Sequence, residues 1–151
     1  MLKDKVAVVT GASRGIGRCI ASRLAAEGAV VILNFNGSAK RAEEAAEEIR
    51  RNGGKAEAIQ CDVSNFSACE SFLADVIKRY GRLDILVNNA GITRDNLMMK
   101  MKEEDFDAVI DTNLKGAFNC MKFASRQMLK QRSGKIINIS SVSGVMGNAG
   151  Q

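Results

Sequence analysis

Short apolar runs alternate along this chain with longer segments in which apolar residues recur every three or four positions. Lys5 to Thr10 reads KVAVVT, a continuous run rich in valine of the kind expected for a strand buried on both faces. A glycine-rich turn, Gly11 to Gly17, leads into a helix running to Glu27, with Ile16, Cys19, Ile20 and Leu24 as its expected inner face and Gly28 as its stop. Val30 to Asn34 reads as a second strand. Ser38 is placed to cap a second helix, whose inner face is Ala42, Ala45, Ala46 and Ile49 and which ends at Gly53-Gly54. Ala56 to Cys61 is a third strand. Cys69, Phe72, Leu73, Val76 and Ile77 then outline an amphipathic helix stopped by Gly81. Leu83 to Val87 is a fourth strand. After a looser polar stretch, Leu114, Ala117, Phe118, Met121, Met128 and Leu129 outline a long helix, and Lys135 to Ile139 (KIINI) is a fifth strand.

Strands alternating with helices predict an α/β fold: a doubly wound parallel sheet, covered by helices through right-handed crossovers. Ligands of such sheets bind beyond the carboxyl ends of the strands, so the segments after each strand are where chemistry is expected. After the first comes Thr10-Gly11-Ala12-Ser13-Arg14-Gly15-Ile16-Gly17, whose glycines let the backbone turn sharply and approach a pyrophosphate resting on the new helix's N–H groups. The spacing differs from both the general dinucleotide fingerprint and the Walker A loop. After the second strand, Asn34-Phe35-Asn36-Gly37-Ser38 contains no carboxylate to bind a ribose 2′-OH, and Arg14 is available to a 2′-phosphate, which favours NADP(H) over NAD. Asp62-Val63 follows the third strand, suited to an adenine edge or simply to capping the next helix. Asn88-Asn89-Ala90-Gly91 follows the fourth and suits a wall lying against a ring. Ser140, Ser141 and Ser143 form a hydroxyl cluster after the fifth, catalytic or merely a turn.

Composition removes alternatives. With 151 residues, no histidine and no tryptophan, the chain can build no Ser-His-Asp triad, Cys-His dyad or histidine metal centre. The four cysteines, Cys19, Cys61, Cys69 and Cys120, have no Cys-x-x-Cys spacing. They are expected to be small buried hydrophobes in a reducing cytoplasm, without a metal. The net charge of +5 gathers at expected helix ends: Arg50-Arg51, Lys78-Arg79, and Arg126, Lys130, Arg132 and Lys135. Without interleaved aromatics these clusters do not read as a nucleic-acid surface. No apolar run is long enough for a membrane span, and no secretory signal is recognisable at the amino end.

The order of these motifs resembles the short-chain dehydrogenase/reductase family: Thr-Gly-x-x-x-Gly-x-Gly, then Asp62, Asn-Asn-Ala-Gly, Asn113 and Ser141. The stretches Thr10 to Gly17, Asn88 to Asp95 and Met146 to Gln151 are similar to the branch that reduces 3-oxoacyl groups on acyl-carrier protein in fatty-acid synthesis. The resemblance implies a Rossmann fold and NADPH-dependent reduction of a 3-ketoacyl thioester. It implies that Gly11, Ala12, Ser13, Arg14, Gly15, Ile16 and Gly17 form the phosphate loop, with Asn36 assisting at the 2′-phosphate. Asp62 and Val63 would contact adenine, and Asn89, Ala90 and Gly91 the ribose and nicotinamide side. Ser141 would donate to the substrate carbonyl as charge grows on it, and Asn113 would help hold the water of a proton relay. A homotetramer is implied for the full-length enzyme, and an acidic acyl-carrier protein docking near Arg132.

The family acid is a tyrosine in a Tyr-x-x-x-Lys motif on the helix after the serine loop, and residues 1–151 stop short of it. The chain is therefore expected to be the N-terminal part of a longer single-domain enzyme, inactive by itself. Its only tyrosine, Tyr80, ends the helix before the fourth strand, at the sheet edge away from the ligand, where packing is its expected role. Partial exposure of the long helix and fifth strand is expected as well. Two alternatives stand beside the reductase reading: a sister dehydrogenase acting on a sugar, polyol or steroid, and a non-catalytic dinucleotide-binding module.

Overall fold

The computed structural model describes residues 1–151. Five parallel strands form one sheet in the order β3-β2-β1-β4-β5. They are β1 (Val6–Val9), β2 (Val30–Phe35), β3 (Lys55–Gln60), β4 (Ile85–Asn88) and β5 (Lys135–Asn138). The central strands β1 and β4 are buried along their whole length, as their unbroken apolar runs require. Connecting them are α1 (Gly15–Ala26), α2 (Ala39–Arg51) and α3 (Phe66–Tyr80). The connection to β5 is longer: a 3-10 turn (Met98–Lys100), α4 (Glu103–Val109), a π-helical segment (Ile110–Lys115) and α5 (Gly116–Gln131). A short α6 (Ser143–Met146) follows β5. The order reverses between β1 and β4, which opens a crevice at their carboxyl ends.

Two cores sandwich the sheet. On one side β1, β2 and β4 pack against α1 and α2 through Val9, Leu33, Ala21, Ala45 and Ile49. On the other, Val8, Ile32 and Leu86 pack against α3 and α5 through Cys69, Leu73, Cys120 and Ala124. The inner faces expected for α2 and α3 are the buried ones. Those expected for α1 and α5 are met only in part, with Met128 buried and Ile20, Leu24 and Met121 partly buried against the core.

Helix α1 turns Gly17, Ala21 and Ala25 to the sheet, while Ile16 and Cys19 are exposed and Ile20 and Leu24 half-buried. Helix α5 buries Gly116, Asn119, Cys120, Ala124 and Met128, and leaves Phe118 and Leu129 exposed; Leu114 is exposed in the π segment. Small residues occupy these inner faces because a helix lying close to a sheet has no room for branched side chains. Cys19 is thus not a buried hydrophobe, although Cys61, Cys69 and Cys120 are.

Boundaries shift in smaller ways. β4 starts at Ile85 rather than Leu83, and the polar stretch before α5 contains α4. Ser38 stands at the α2 N-cap position but its hydroxyl bonds no backbone N–H. Asn65 caps α3, accepting from Ala68 N at 2.9 Å, so Asp62 is not the cap. The expected exposure is present: Ile136 and Ile137 on β5, and Ile139 just after it, are each about two-fifths accessible.

Candidate functional site

A cavity of about 590 Å³ lies at the carboxyl ends of β1, β2, β3 and β4. Its floor is the turn after β1. Gly11 and Gly15 hold φ of +62° and +55°, a region open to glycine at little strain. A Cβ at Gly11 would stand 2.8 Å from Ala90 Cα. Thr10 ties this turn to the loop after β4: its Oγ1 accepts from Asn89 N and Ala90 N, both at 3.0 Å. Asn89 answers by donating from Nδ2 to the carbonyls of Thr10 and Gly11, each at 3.1 Å. The two loops meeting across the crevice form one hydrogen-bonded unit.

Asn34 extends that unit toward β3. It is buried, donates to Cys61 O at 3.0 Å and accepts from Gly11 N at 3.4 Å. Asn36 lies at the rim, its Oδ1 accepting from Gln60 Nε2 at 3.1 Å, so its Nδ2 donors remain for a ligand. Arg14 is exposed at the start of α1 and shares the cavity wall with Asn36 and Ser38. Asp62 Oδ1 accepts from Ser64 N at 3.0 Å and Ser64 Oγ at 2.7 Å, which fixes the turn after β3. No carboxylate stands at the end of β2, and Arg14 lines the same cavity as that end.

Of the residues expected to hold the nucleotide, Gly11, Ser13, Arg14, Gly15, Ile16, Asn36, Asp62, Val63, Asn89, Ala90 and Gly91 line this cavity. Ala12 and Gly17 do not. Ala12 is fully buried in the core beneath the loop. Gly17 lies against Asn89 Nδ2 and Gly11 O, and its role is to let α1 approach them. Asn34, Phe35, Gly37, Ser38, Cys61, Ile92 and Thr112 also line the cavity and were not singled out. Asn34 could have been found: a lone amide ending the apolar run VVIL marks a strand's polar end. Thr112 could not, because only the fold brings it there.

A second cavity of about 530 Å³ adjoins the first, sharing Val63, Asn89, Ala90 and Gly91, and opens between α5 and β5. Asn113 borders it from the π-helical segment. Its amide bonds the loop after β4: Oδ1 accepts from Ile92 N at 2.8 Å and Nδ2 donates to Ile92 O at 2.9 Å, which leaves one N–H and one lone pair unused. The side chain therefore braces the loop after β4. Ser140 lines this second cavity, whereas Ser141 lines neither. Ser141 is exposed and its Oγ accepts from Ser143 N at 3.2 Å, which leaves its own proton free to donate.

Tyr80 is remote from both cavities. Its hydroxyl donates to Glu57 Oε2 at 2.7 Å, and burial with that hydrogen bond pushes the phenol up to about 12. A proton donor working near neutral pH needs the opposite shift. Arg132 ends α5, so it too lies at the amino edge of the sheet, away from the cavities. The cysteine beside the site is no nucleophile either: the neighbouring Cys69 thiol, then burial, hold Cys61 far above the usual thiol range.

The description short chain dehydrogenase belongs to the family model that matches residues 5–151. The 3-oxoacyl-[acyl-carrier-protein] reductase FabG of Staphylococcus aureus strain Mu50 is 56% identical over 151 residues, all of this chain and 61% of that protein. The corresponding reductase of Synechocystis sp. is 51% identical over 150 residues, 99% of this chain and 61% of the other. This chain thus spans about three-fifths of the length of these curated relatives. Among solved structures, a metagenomic short-chain oxidoreductase in complex with NADP superposes with a TM-score of 0.93 at 40% identity, over 98% of this chain and 67% of the other. A short-chain alcohol dehydrogenase from Sinorhizobium meliloti, itself described as putative, gives 0.93 at 38%, over 99% and 59%.

Proposed function

Because this chain belongs to the short-chain dehydrogenase family, we propose that its carboxyl-edge cavity is the NADP(H) site of a 3-oxoacyl-[acyl-carrier-protein] reductase. The observation that carries the nucleotide reading is the anion-adapted wall: Arg14, Asn36 and Ser38 where a carboxylate would otherwise meet a ribose hydroxyl. The site fits the group in other respects too. Gly11 and Gly15 bring backbone close to a pyrophosphate, the start of α1 presents free N–H groups, and a volume of about 590 Å³ is in the range of cofactor clefts. Bound there, NADPH would supply a hydride. Identity above 50% to reductases of that name favours the 3-oxoacyl thioester as substrate over a sugar, polyol or steroid.

The chain's own residues have definable parts in this reading. Arg14 and Asn36 hold the 2′-phosphate, Asp62 and Val63 bound the adenine, and Asn89, Ala90 and Gly91 line the ribose and nicotinamide side. Ser141, with its proton unclaimed, donates to the substrate carbonyl as negative charge develops. Asn113, braced on Ile92, keeps one N–H and one lone pair with which to help hold a relay water. A π-helical turn leaves a backbone carbonyl without its ordinary helical partner and is a common device at functional sites. No phenol stands at the cavity, so residues 1–151 bind nucleotide without completing proton transfer.

Carrier protein at Arg132 and a homotetramer form one linked proposal. Arg132 lies at the opposite sheet edge from its own cavity, so a carrier docked there delivers its thioester to the cavity of another copy. The four free thiols fit a reducing, cytoplasmic setting.

Titration of nicotinamide fluorescence tests the reading. NADPH is expected to bind more tightly than NADH, and Arg14→Ala to remove about tenfold of the NADPH affinity while leaving NADH nearly unchanged. Mixed with a 3-oxoacyl thioester, residues 1–151 are expected not to oxidise NADPH. Preference for NADH, or an Arg14→Ala variant that weakens both equally, would sink the assignment.

A further inference from the structure

Val63 follows β3 and lines both cavities. Its carbonyl is held from two helices at once: Asn119 Nδ2 of α5 donates at 2.8 Å and Cys69 Sγ of α3 at 3.3 Å. A third contact limits its side chain, because a Cβ at Gly116 would stand 2.7 Å from Val63 Cγ2. Asn119 is fully buried on the sheet-facing side of α5, among Gly116, Cys120 and Ala124, and its Oδ1 has no partner. An amide with an orphaned oxygen is unfavourable in such a place, where an apolar residue of the same shape would pack without that penalty. What the amide adds is its N–H to Val63.

We propose that Asn119 is a positioning residue for the base end of the dinucleotide, holding the Val63 backbone at the height a purine edge requires. The inference rests on the nucleotide reading above. Asp62 and Val63 share one turn, fixed by Ser64 through Asp62 Oδ1 and by Asn119 through the Val63 carbonyl, so a base edge meeting either residue depends on where that turn is held. The same continuous stretch of helix carries Asn113, which braces Ile92 on the far wall of the cavity. One rigid element, from Ile110 to Gln131, thereby sets the separation between the base wall and the nicotinamide wall.

Asn119→Leu keeps the shape and removes both the donor and the orphaned oxygen. NADPH and its hypoxanthine counterpart, in which a carbonyl replaces the adenine amino group, are titrated against the 151-residue chain, and thermal midpoints are measured alongside. The unmodified chain is expected to prefer NADPH. Asn119→Leu is expected to shrink that preference about fivefold through weaker NADPH binding, with the midpoint unchanged or higher, because one neutral hydrogen bond is lost. Gly116→Ala, which presses on the Val63 side chain from the same helix face, is expected to shrink the same ratio and stands in if Asn119→Leu does not fold. An unchanged ratio in the folded variants overturns the proposal. So does an equal loss for both nucleotides together with a lower midpoint, which is the signature of a merely structural residue. A chain that binds neither nucleotide overturns the nucleotide reading itself, and is told apart because the failure then occurs without any substitution.

Discussion

At the scale of single residues, the loops of the site are tied together mainly by side chains that bond to backbone. Thr10, Asn34, Asn89, Asn113 and Asn119 each reach across to a different chain segment, and each satisfies backbone groups that the turn at a strand's end leaves without a ladder partner. Amides suit this work because one group both donates and accepts. Gly17 completes the set by absence of a side chain. Its Cβ would run into Asn89 Nδ2 and stand 2.5 Å from Gly11 O, both held in place by the Thr10–Asn89 unit. Gly17→Ala is therefore expected to displace Asn89 and to reduce NADPH affinity at least about tenfold. Binding that survives within twofold would show that the loop can give way.

At the scale of elements, α1 and α5 are the helices whose inner faces depart from the apolar periodicity. Size explains the miss. In α1 the large residues Ile16, Ile20 and Leu24 look like a core face, yet Gly17, Ala21 and Ala25 form it. Helix α2 was read correctly because its apolar residues are Ala42, Ala45, Ala46 and Ile49 and nothing larger competes. Capping was similarly legible in kind but not in detail. Asn65 accepts from Ala68 N, whereas Ser38 makes no cap bond. Asn65→Ala is expected to cost about 1 kcal/mol in a denaturant titration, and Ser38→Ala only a few tenths of that (~0.3 kcal/mol). A reversed order would mean that the α2 cap forms in solution.

At the scale of the whole molecule, the amino edge of the sheet is pinned as firmly as the carboxyl edge is shaped. Asp84 is buried and joins three strands: its carboxylate accepts from Val6 N at 2.9 Å, and its carbonyl from Lys135 N at 2.8 Å. Arg82 donates to both carboxylate oxygens, from Nε at 2.7 Å and Nη2 at 2.8 Å, and Lys5 stands 3.6 Å away. Burial raises this carboxyl, but the Arg82 bonds, the Val6 N–H and the two cations together outweigh it and hold the group below its ordinary value. A lowered folded value means stability present above the unfolded pKa of about 4 and lost as the pH falls through the folded one. Asp84→Asn is expected to lower unfolding free energy at pH 7 by about 2 kcal/mol, allowing for the half-exposed cations that water screens. The gap between the two proteins should close progressively below about pH 4; a gap independent of pH would mean that charge is not what the site supplies.

The opposite flank is less complete. Phe118, Leu129, Ile136, Ile137 and Ile139 leave an apolar surface along α5 and β5, and the second cavity opens onto it. No helix is long and apolar enough to cross a membrane.

Read alone, the sequence determined the order of strands and helices, the edge at which a ligand belongs and most of the cavity's lining. Those features depend on local periodicity and on turns that must follow each strand, so they are written in neighbouring residues. Tertiary structure decided what no window of sequence holds. Ala12 and Gly17 lie beneath the loop rather than in the cavity wall, Ala12 in the core and Gly17 against Asn89 and Gly11. Asn113 braces Ile92, a contact across 21 residues, and Thr112 and Ile92 joined the cavity from the long connection before β5. Tyr80, the chain's lone phenol, was placed with Glu57 at the far side of the molecule. Such roles are set by distances between segments far apart in the chain, and packing density rather than sequence spacing fixes those distances.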